Sequence, residues 1–354
     1  MLLPNAALLI PFLISNTSQI IAPMKIAVLD DYQDSVRQLD CFRLLDGHEV
    51  KIFNNTARGQ GQLAVRLADY EALVLIRERT RLPEALLRKL PNLKLISQTG
   101  KAGPHIDIAA ATALGITVVE GAGDPTAPAE MTWALIMAAS RHIVPYASEL
   151  TAGIWQSTSS VPAQNVLGRT LKGKTLGIWG YGKIGGLIAG YGKAFGMQIL
   201  VWGREPSRAR ALQDGHGAAP DKKAFFASAD VLSVHLRLND ATRGCVKAAD
   251  LGCMKADALF VNTSRAELVE SGALHAALQA GRPGRAALDV FEDEPLPADS
   301  PWPRMPNVLA TPHLGYVEKN SYELYLGAAF QNIVDFASGT PKNVVSPERL
   351  PDQR

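Results

Sequence analysis

Short runs of Val, Ile and Leu alternate along the chain with longer stretches whose apolar positions recur at helical spacing. Five runs come first: KIAVLD, HEVKIF, ALVLIR, LKLISQ and ITVVE. A second series follows: TLGIWG, MQILVWG, VLSVHL, ALFVNTS, AALDVF and NVLATP. Runs that are apolar at nearly every position belong to strands buried on both faces, and the helices between them are the crossovers that parallel strands need. Two such series predict an α/β protein with two doubly wound parallel-sheet domains. Between them, GAGDPTAPAE (121–130) is rich in Gly and Pro and runs into an apolar helix, EMTWALIMAAS, which predicts a hinge and then an interdomain element. The chain returns at TPHLG (311–315), and a final helix from Glu318 to Ser338 is expected to pack back on the first domain. The second domain, 123–314, is thereby inserted into the first, 24–122 and 315–354.

Composition adds limits. With 354 residues, 47% hydrophobic and 20% charged, the chain has the balance of a globular protein of more than one domain. A net charge of +2 without long runs of like charge gives no electrostatic case for nucleic acid or an anionic membrane. Cys41, Cys245 and Cys253 are spaced for neither a disulfide framework nor a metal site, so buried free thiols in a reducing cytoplasm are expected, and no metal. Residues 1–23 carry an apolar, uncharged stretch without the basic start of a signal peptide, and prolines interrupt it below the length of a bilayer span. Met24 opens the first strand, so residues 1–23 read as an extension outside the fold.

The stretch TLGIWGYGKIG contains Gly180, Gly182 and Gly185, a GxGxxG pattern between an apolar strand and a helix that leads to a second strand. A bare match is weak, but this strand–turn–helix–strand context makes it a dinucleotide site. Gly180 permits the tight turn, Gly182 lets the pyrophosphate approach, and Gly185 lets the helix pack on the strand. Lys183 and Ile184 open the helix, whose N-terminus offers free N–H groups to phosphate. At the end of the next strand stand Gly203, Arg204 and Glu205. A guanidinium there binds a 2′-phosphate and an acidic group repels it, so the reading leans to NADP over NAD through Arg204. The other reading leaves Arg204 in solvent and gives the ribose of NAD to Glu205.

Three segments each place an ionisable residue just after a strand: Arg265 in VNTSRAELVE, Glu294 in LDVFEDEP and His313 in LATPHLG. Strand ends line the ligand crevice of an open α/β sheet. A ketone that accepts hydride needs a proton donor, which histidine provides. A carboxylate orients the histidine, and an arginine clamps a substrate carboxylate and polarises the carbonyl. Singly, each has a structural alternative: a helix cap, a solvated acidic loop, a histidine in a turn. Together, downstream of a dinucleotide turn, they compose a site.

These segments, with GYGKIG, resemble the D-isomer-specific 2-hydroxy acid dehydrogenases over nearly everything from Met24 onward. The resemblance implies a Rossmann nucleotide-binding domain inserted into a flavodoxin-like substrate domain, a homodimer, and a small 2-keto or 2-hydroxy acid as substrate. It implies an Arg265–Glu294–His313 set, a cofactor contact at Thr263, Asp289 near the nicotinamide and His235 beside the cofactor. It also implies that the substrate carboxylate meets backbone N–H groups in the loop Gly100-Lys101-Ala102-Gly103, with Arg77 at the rim. Lys101 departs from the family's small apolar pattern, and its side chain either adds charge for an anionic substrate or points to solvent. With Arg77 and Arg79 it is expected to favour acids with a second negative group. Two rivals share the fold: formate dehydrogenases, which pair the histidine with glutamine where this chain has Glu294, and dinucleotide-sensing corepressors, which turn over little.

Overall fold

The structure, a computed structural model, describes residues 22–57 and 59–345. The extension expected before Met24 therefore lies almost wholly outside the described residues. The described residues divide into two compact units, one from residues 22–121 and Gly327–Val345, the other spanning Ala122–Leu326. The return crossing falls inside the last helix, Lys319–Ala337, later than the 314/315 boundary expected from TPHLG. The residues of that helix up to Leu326 group with the second unit.

In the first unit, β1 (Lys25–Leu29), β2 (Glu49–Ile52), β3 (Ala72–Leu75), β4 (Leu95–Gln98) and β5 (Thr117–Glu120) form one sheet in the order β2-β1-β3-β4-β5. All its strand pairings are parallel. Every residue of β3 and β4 is buried, as sheets covered on both faces require. Leu73, Leu75, Leu82, Leu86 and Ile96 build the core on one face. The last helix supplies Phe330 and Ile333, both fully buried, and Ser97 Oγ donates to its Ala329 carbonyl (2.8 Å).

In the second unit the strands are β6 (Thr175–Trp179), β7 (Gln198–Trp202), β8 (Gly217–Ala218), β9 (Val231–Val234), β10 (Leu259–Asn262), β11 (Arg285–Leu288) and β12 (Val308–Ala310). Their order is β12-β11-β10-β9-β6-β7-β8, again all parallel. The alternating side chains of each strand feed two cores. Leu232, Val234, Phe260 and Leu288 join Phe225 and Phe226, while Val231, Leu259, Val261 and Ala287 join Leu135, Ile136 and Ile188. The helix Thr126–Arg141, expected as an interdomain element, buries Ala129, Leu135 and Ile136 in this second core. The two-residue strand β8 is absent from the sequence reading because it is too short to show a period.

The three cysteines are free but half-buried, so the expected deep burial does not hold. Among the described residues, no helix is long and apolar enough to cross a membrane, and no cluster of His, Cys, Asp and Glu is arranged to hold a metal ion.

Candidate active site

The sheet of the second unit aligns the ends of its strands. Val234, Asn262, Leu288 and Ala310 are successive register partners across β9, β10, β11 and β12. The residues that follow them, His235, Thr263, Asp289 and Thr311, therefore stand along one carboxyl edge. From β6 the chain first moves outward through β7 and β8, then returns to place β9 on the other side of β6. That reversal is the switch point at which open α/β sheets bind ligands.

The glycine turn sits at this point. Gly180 has φ +101°, and a Cβ there would lie 2.4 Å from the His235 carbonyl oxygen. A Cβ on Gly185 would lie 2.3 Å from the Gly180 carbonyl oxygen. Both glycines are thus required by the protein's own packing. Gly182 differs, because a Cβ there would meet nothing within 4 Å. Its glycine keeps open the ground before the helix Lys183–Ala194, where a pyrophosphate would approach the first N–H groups. His235 donates its backbone N–H to the Trp179 carbonyl (2.7 Å), and its Nε2 meets Ser233 Oγ (2.7 Å). Its Nδ1 is buried and has no hydrogen-bond partner. Burial pushes the ring's pKa down to about 3, so it is neutral at working pH. An orphaned ring nitrogen beside the glycine turn and the open approach at Gly182 both fit a bound dinucleotide.

At the far end of β7, Arg204 is exposed and stands at the N-cap position of the helix Glu205–Gln213 without a side-chain capping hydrogen bond. Glu205 is ion-paired with Arg208 (2.5 Å), whose guanidinium lies 5.3 Å above the Trp202 ring. Sequence reasoning missed Arg208. Its helical spacing from Glu205 was the available signal.

On the carboxyl edge, His313 Nδ1 meets Glu294 Oε2 at 2.7 Å. Glu294 Oε1 accepts the Phe291 N–H (2.9 Å), which fixes the carboxylate from its other side. Burial acts to raise the Glu294 carboxyl, but the hydrogen bond and charge of His313, the Phe291 N–H and the Arg265 charge hold it below its ordinary value. A carboxylate only accepts, so Nδ1 carries the hydrogen and Nε2 is left to exchange a proton. His313 sits at φ +53°, a left-handed conformation that a non-glycine residue adopts only when its surroundings impose it. Asp289 imposes it here. Fully buried, it accepts from the Thr311 hydroxyl (2.6 Å) and from the Leu314 and Gly315 N–H groups (2.8 Å each). Burial pushes its carboxyl above the ordinary value, against the pull of those hydrogen bonds. Asp289 thus spends its hydrogen bonds on the loop that carries His313.

Arg265 follows β10 in a turn held by Asn262, whose side chain donates to the Arg265 carbonyl (2.8 Å) and accepts the Ser264 N–H (3.0 Å). Arg265 Nη1 donates to the Ser264 carbonyl (2.6 Å). Thr263 shares a hydroxyl hydrogen bond with Thr132 (2.7 Å) on the helix Thr126–Arg141. Asn262, Thr132 and Tyr316, whose ring stands edge-on to His313 at 5.6 Å, were not singled out in the sequence.

The remaining predicted residues lie in the first unit: Arg77 follows β3, and Gly100, Lys101, Ala102 and Gly103 are on the loop after β4. Gly100 has φ +77°, and a Cβ there would meet Arg77 Nη1 at 2.3 Å, so the guanidinium lies against the loop backbone. Arg77 itself is held at φ +58°. Lys101 is ion-paired with Glu120, and the Ala102 N–H donates to the same carboxylate (3.0 Å). Of the three cations expected to favour doubly charged acids, Lys101 therefore has an acidic partner on the same loop clamp. Gly103 stands beside Glu78 and His105.

Residues 133–315 match the family described as D-isomer specific 2-hydroxyacid dehydrogenase, NAD binding domain. A glyoxylate reductase of Aeropyrum pernix is 39% identical over 267 residues, which cover 74% of this chain and 79% of that protein. Among solved structures, a phosphoglycerate oxidoreductase from Vibrio cholerae is 59% identical with a TM-score of 0.86, covering 89% of this chain and 99% of its own. An oxidoreductase from Ralstonia solanacearum is 57% identical with a TM-score of 0.89, covering 93% of this chain and 99% of its own. With this match over half the chain and the paired histidine and carboxylate on the sheet edge, the chain belongs to the D-isomer-specific 2-hydroxyacid dehydrogenase family of oxidoreductases.

Proposed function

We propose that the chain reduces a small 2-keto acid to its D-2-hydroxy acid, and catalyses the reverse, with His313 as general acid and base. The observation that carries this is the Glu294–His313 pair at 2.7 Å, on the edge that also holds the glycine turn. Arg265 polarises the carbonyl and binds the substrate carboxylate. His313, protonated and held through Nδ1 by Glu294, gives the Nε2 proton to the carbonyl oxygen as charge develops on it. The nicotinamide, when bound, supplies the hydride to C2. In oxidation the neutral His313 takes the hydroxyl proton. Asp289 keeps the imidazole in place. By the family resemblance, the N–H groups of Gly100–Gly103 hold the substrate carboxylate, with Arg77 beside them.

Gly180, Gly182, Lys183, Ile184 and Gly185 form the pyrophosphate turn, with Thr263 and His235 as further contacts. NADP is the favoured cofactor. Arg204 is exposed where a 2′-phosphate would lie, and Arg208 engages the Glu205 carboxylate that would otherwise repel it. A cytoplasmic homodimer is proposed as the working form. In support, the helix Ile143–Thr151 buries none of its residues. Ile143, Val144, Leu150, Trp155 and Leu167 are 51% to 88% exposed, a patch that a second copy would cover.

The test follows reduced-nicotinamide absorbance with glyoxylate, hydroxypyruvate, pyruvate, phosphohydroxypyruvate and phenylpyruvate, each with NADH and with NADPH. Turnover is expected on at least one acid, faster with NADPH. His313→Ala should lower kcat roughly 10²- to 10⁴-fold. No turnover on any acid, or a His313→Ala variant as fast as wild type, refutes the reading.

A further inference from the structure

The loop after β4 is clamped to the end of β5 by groups far apart in sequence. Gln98 and Glu120 are register partners at the ends of the two strands. The Gly121 N–H donates to the Gly100 carbonyl (2.8 Å), and a Cβ on Gly121 would stand 3.1 Å from the Gly100 nitrogen. Glu120 completes the clamp with its side chain. One carboxylate oxygen takes Lys101 Nζ, and the other accepts the Ala102 N–H at 3.0 Å. Its backbone is fastened as well, with the N–H on the Asn343 carbonyl (3.1 Å) and the carbonyl on Asn332 Nδ2 (3.2 Å). The Glu120 side chain is 24% exposed against 69% for Lys101, so the anion is the fixed member of the pair.

We infer that Glu120 determines specificity: its carboxylate offsets the Lys101 charge on the loop and disfavours acids with two negative groups relative to small acids with one. This rests on the assignment of Gly100–Gly103 to the substrate carboxylate. Without Glu120, Lys101 would give the loop a net positive charge. A three-carbon acid held there brings any second carboxylate or phosphate within a Debye length of both side chains. Attraction by Lys101 is then offset by repulsion from Glu120. Arg77, whose guanidinium lies against Gly100, and Arg79, held on the Asp30 carbonyl (2.5 Å) and over the Tyr32 ring (4.4 Å), add a fixed charge common to every variant compared. Glu120 also engages one of the backbone donors assigned to the substrate, and an acid bound there must share or displace it.

The experiment is a double-mutant cycle read on two acids that differ by one phosphate, hydroxypyruvate and phosphohydroxypyruvate. Glu120→Gln keeps an acceptor for the Ala102 N–H and removes the charge, and Lys101→Gln removes the opposite charge. The quantity is the ratio of kcat/KM for the phosphorylated acid to that for the other. Glu120→Gln should raise this ratio about tenfold, Lys101→Gln should lower it by a similar factor, and the double variant should return to about the wild-type ratio. A clamp that only holds the loop in shape would change kcat/KM for both acids together. A ratio constant across all variants, with the wild type active, therefore overturns the inference. If the wild type turns over neither acid but is active on another, the same ratio is read on 2-ketoglutarate against 2-ketobutyrate. If it turns over no keto acid, the dehydrogenase reading fails and this inference falls with it.

Discussion

Adding one methyl group separates the two jobs that glycine does in the turn after β6. In Gly185→Ala the new Cβ would lie 2.3 Å from the Gly180 carbonyl oxygen, closer than atoms approach, so helix and strand must part. Such overpacking costs about 1–3 kcal/mol. The second unit spans Ala122–Leu326, a size at which each kcal/mol lowers the melting temperature by about 2–4 °C. The expected loss is therefore roughly 2–12 °C. In Gly182→Ala the Cβ meets nothing within 4 Å, and φ −95°, ψ −152° suits alanine. Two small terms oppose each other there. Alanine restricts the unfolded chain, worth about 0.4–1 kcal/mol, and is a poorer helix cap than glycine by a similar amount. Stability should change by less than about 1 kcal/mol, while dinucleotide affinity falls about tenfold to a hundredfold because the methyl stands where the pyrophosphate must come close. Scanning calorimetry and fluorescence titration with NADPH measure the two effects. A Gly182→Ala protein that binds the dinucleotide as wild type does would refute the placement of the phosphate.

Asp289→Asn turns an amide NH₂ towards backbone N–H groups that now have an acceptor, and each buried donor left unsatisfied costs about 1–3 kcal/mol. With the His313 loop loosened, kcat should fall while the dinucleotide Kd stays within about twofold. A weakened Kd with unchanged kcat would instead put Asp289 on the nicotinamide. His235 titrates near 3 in the fold and near 6.5 when unfolded, so between those values the unfolded chain binds a proton that the fold refuses. Stability is then unaffected above about pH 6.5 and declines as pH falls from there towards 3. His235→Asn should remove that share of the acid slope in urea titrations, and an unchanged slope would mean that the ring is solvated.

Much of this was legible in the chain because the informative residues are neighbours in sequence. The buried strands, the glycine turn and the placing of Arg265, Glu294 and His313 after strands all follow from local pattern, since a strand end carries its next residue to the sheet edge. What escaped depends on contacts between distant segments. Nothing near Lys101 announces that Glu120, one strand later, will take its charge. Nothing beside Asp289 in the sequence shows that its three donors come from a loop that begins after β12. Arg208 escaped because the Trp202 ring beneath it lies on the preceding strand.

The path of the chain also orders events during synthesis. Among the described residues the second unit is one continuous stretch that ends at Leu326, whereas the first has five strands early and waits for Gly327–Val345. Until that segment emerges, the surfaces that Phe330 and Ile333 will cover stay uncovered, and Ser97 has no carbonyl to bond. The second unit can thus settle while the first is still unfinished, and the interval before the last turns of helix arrive is when apolar surface of the first unit is exposed.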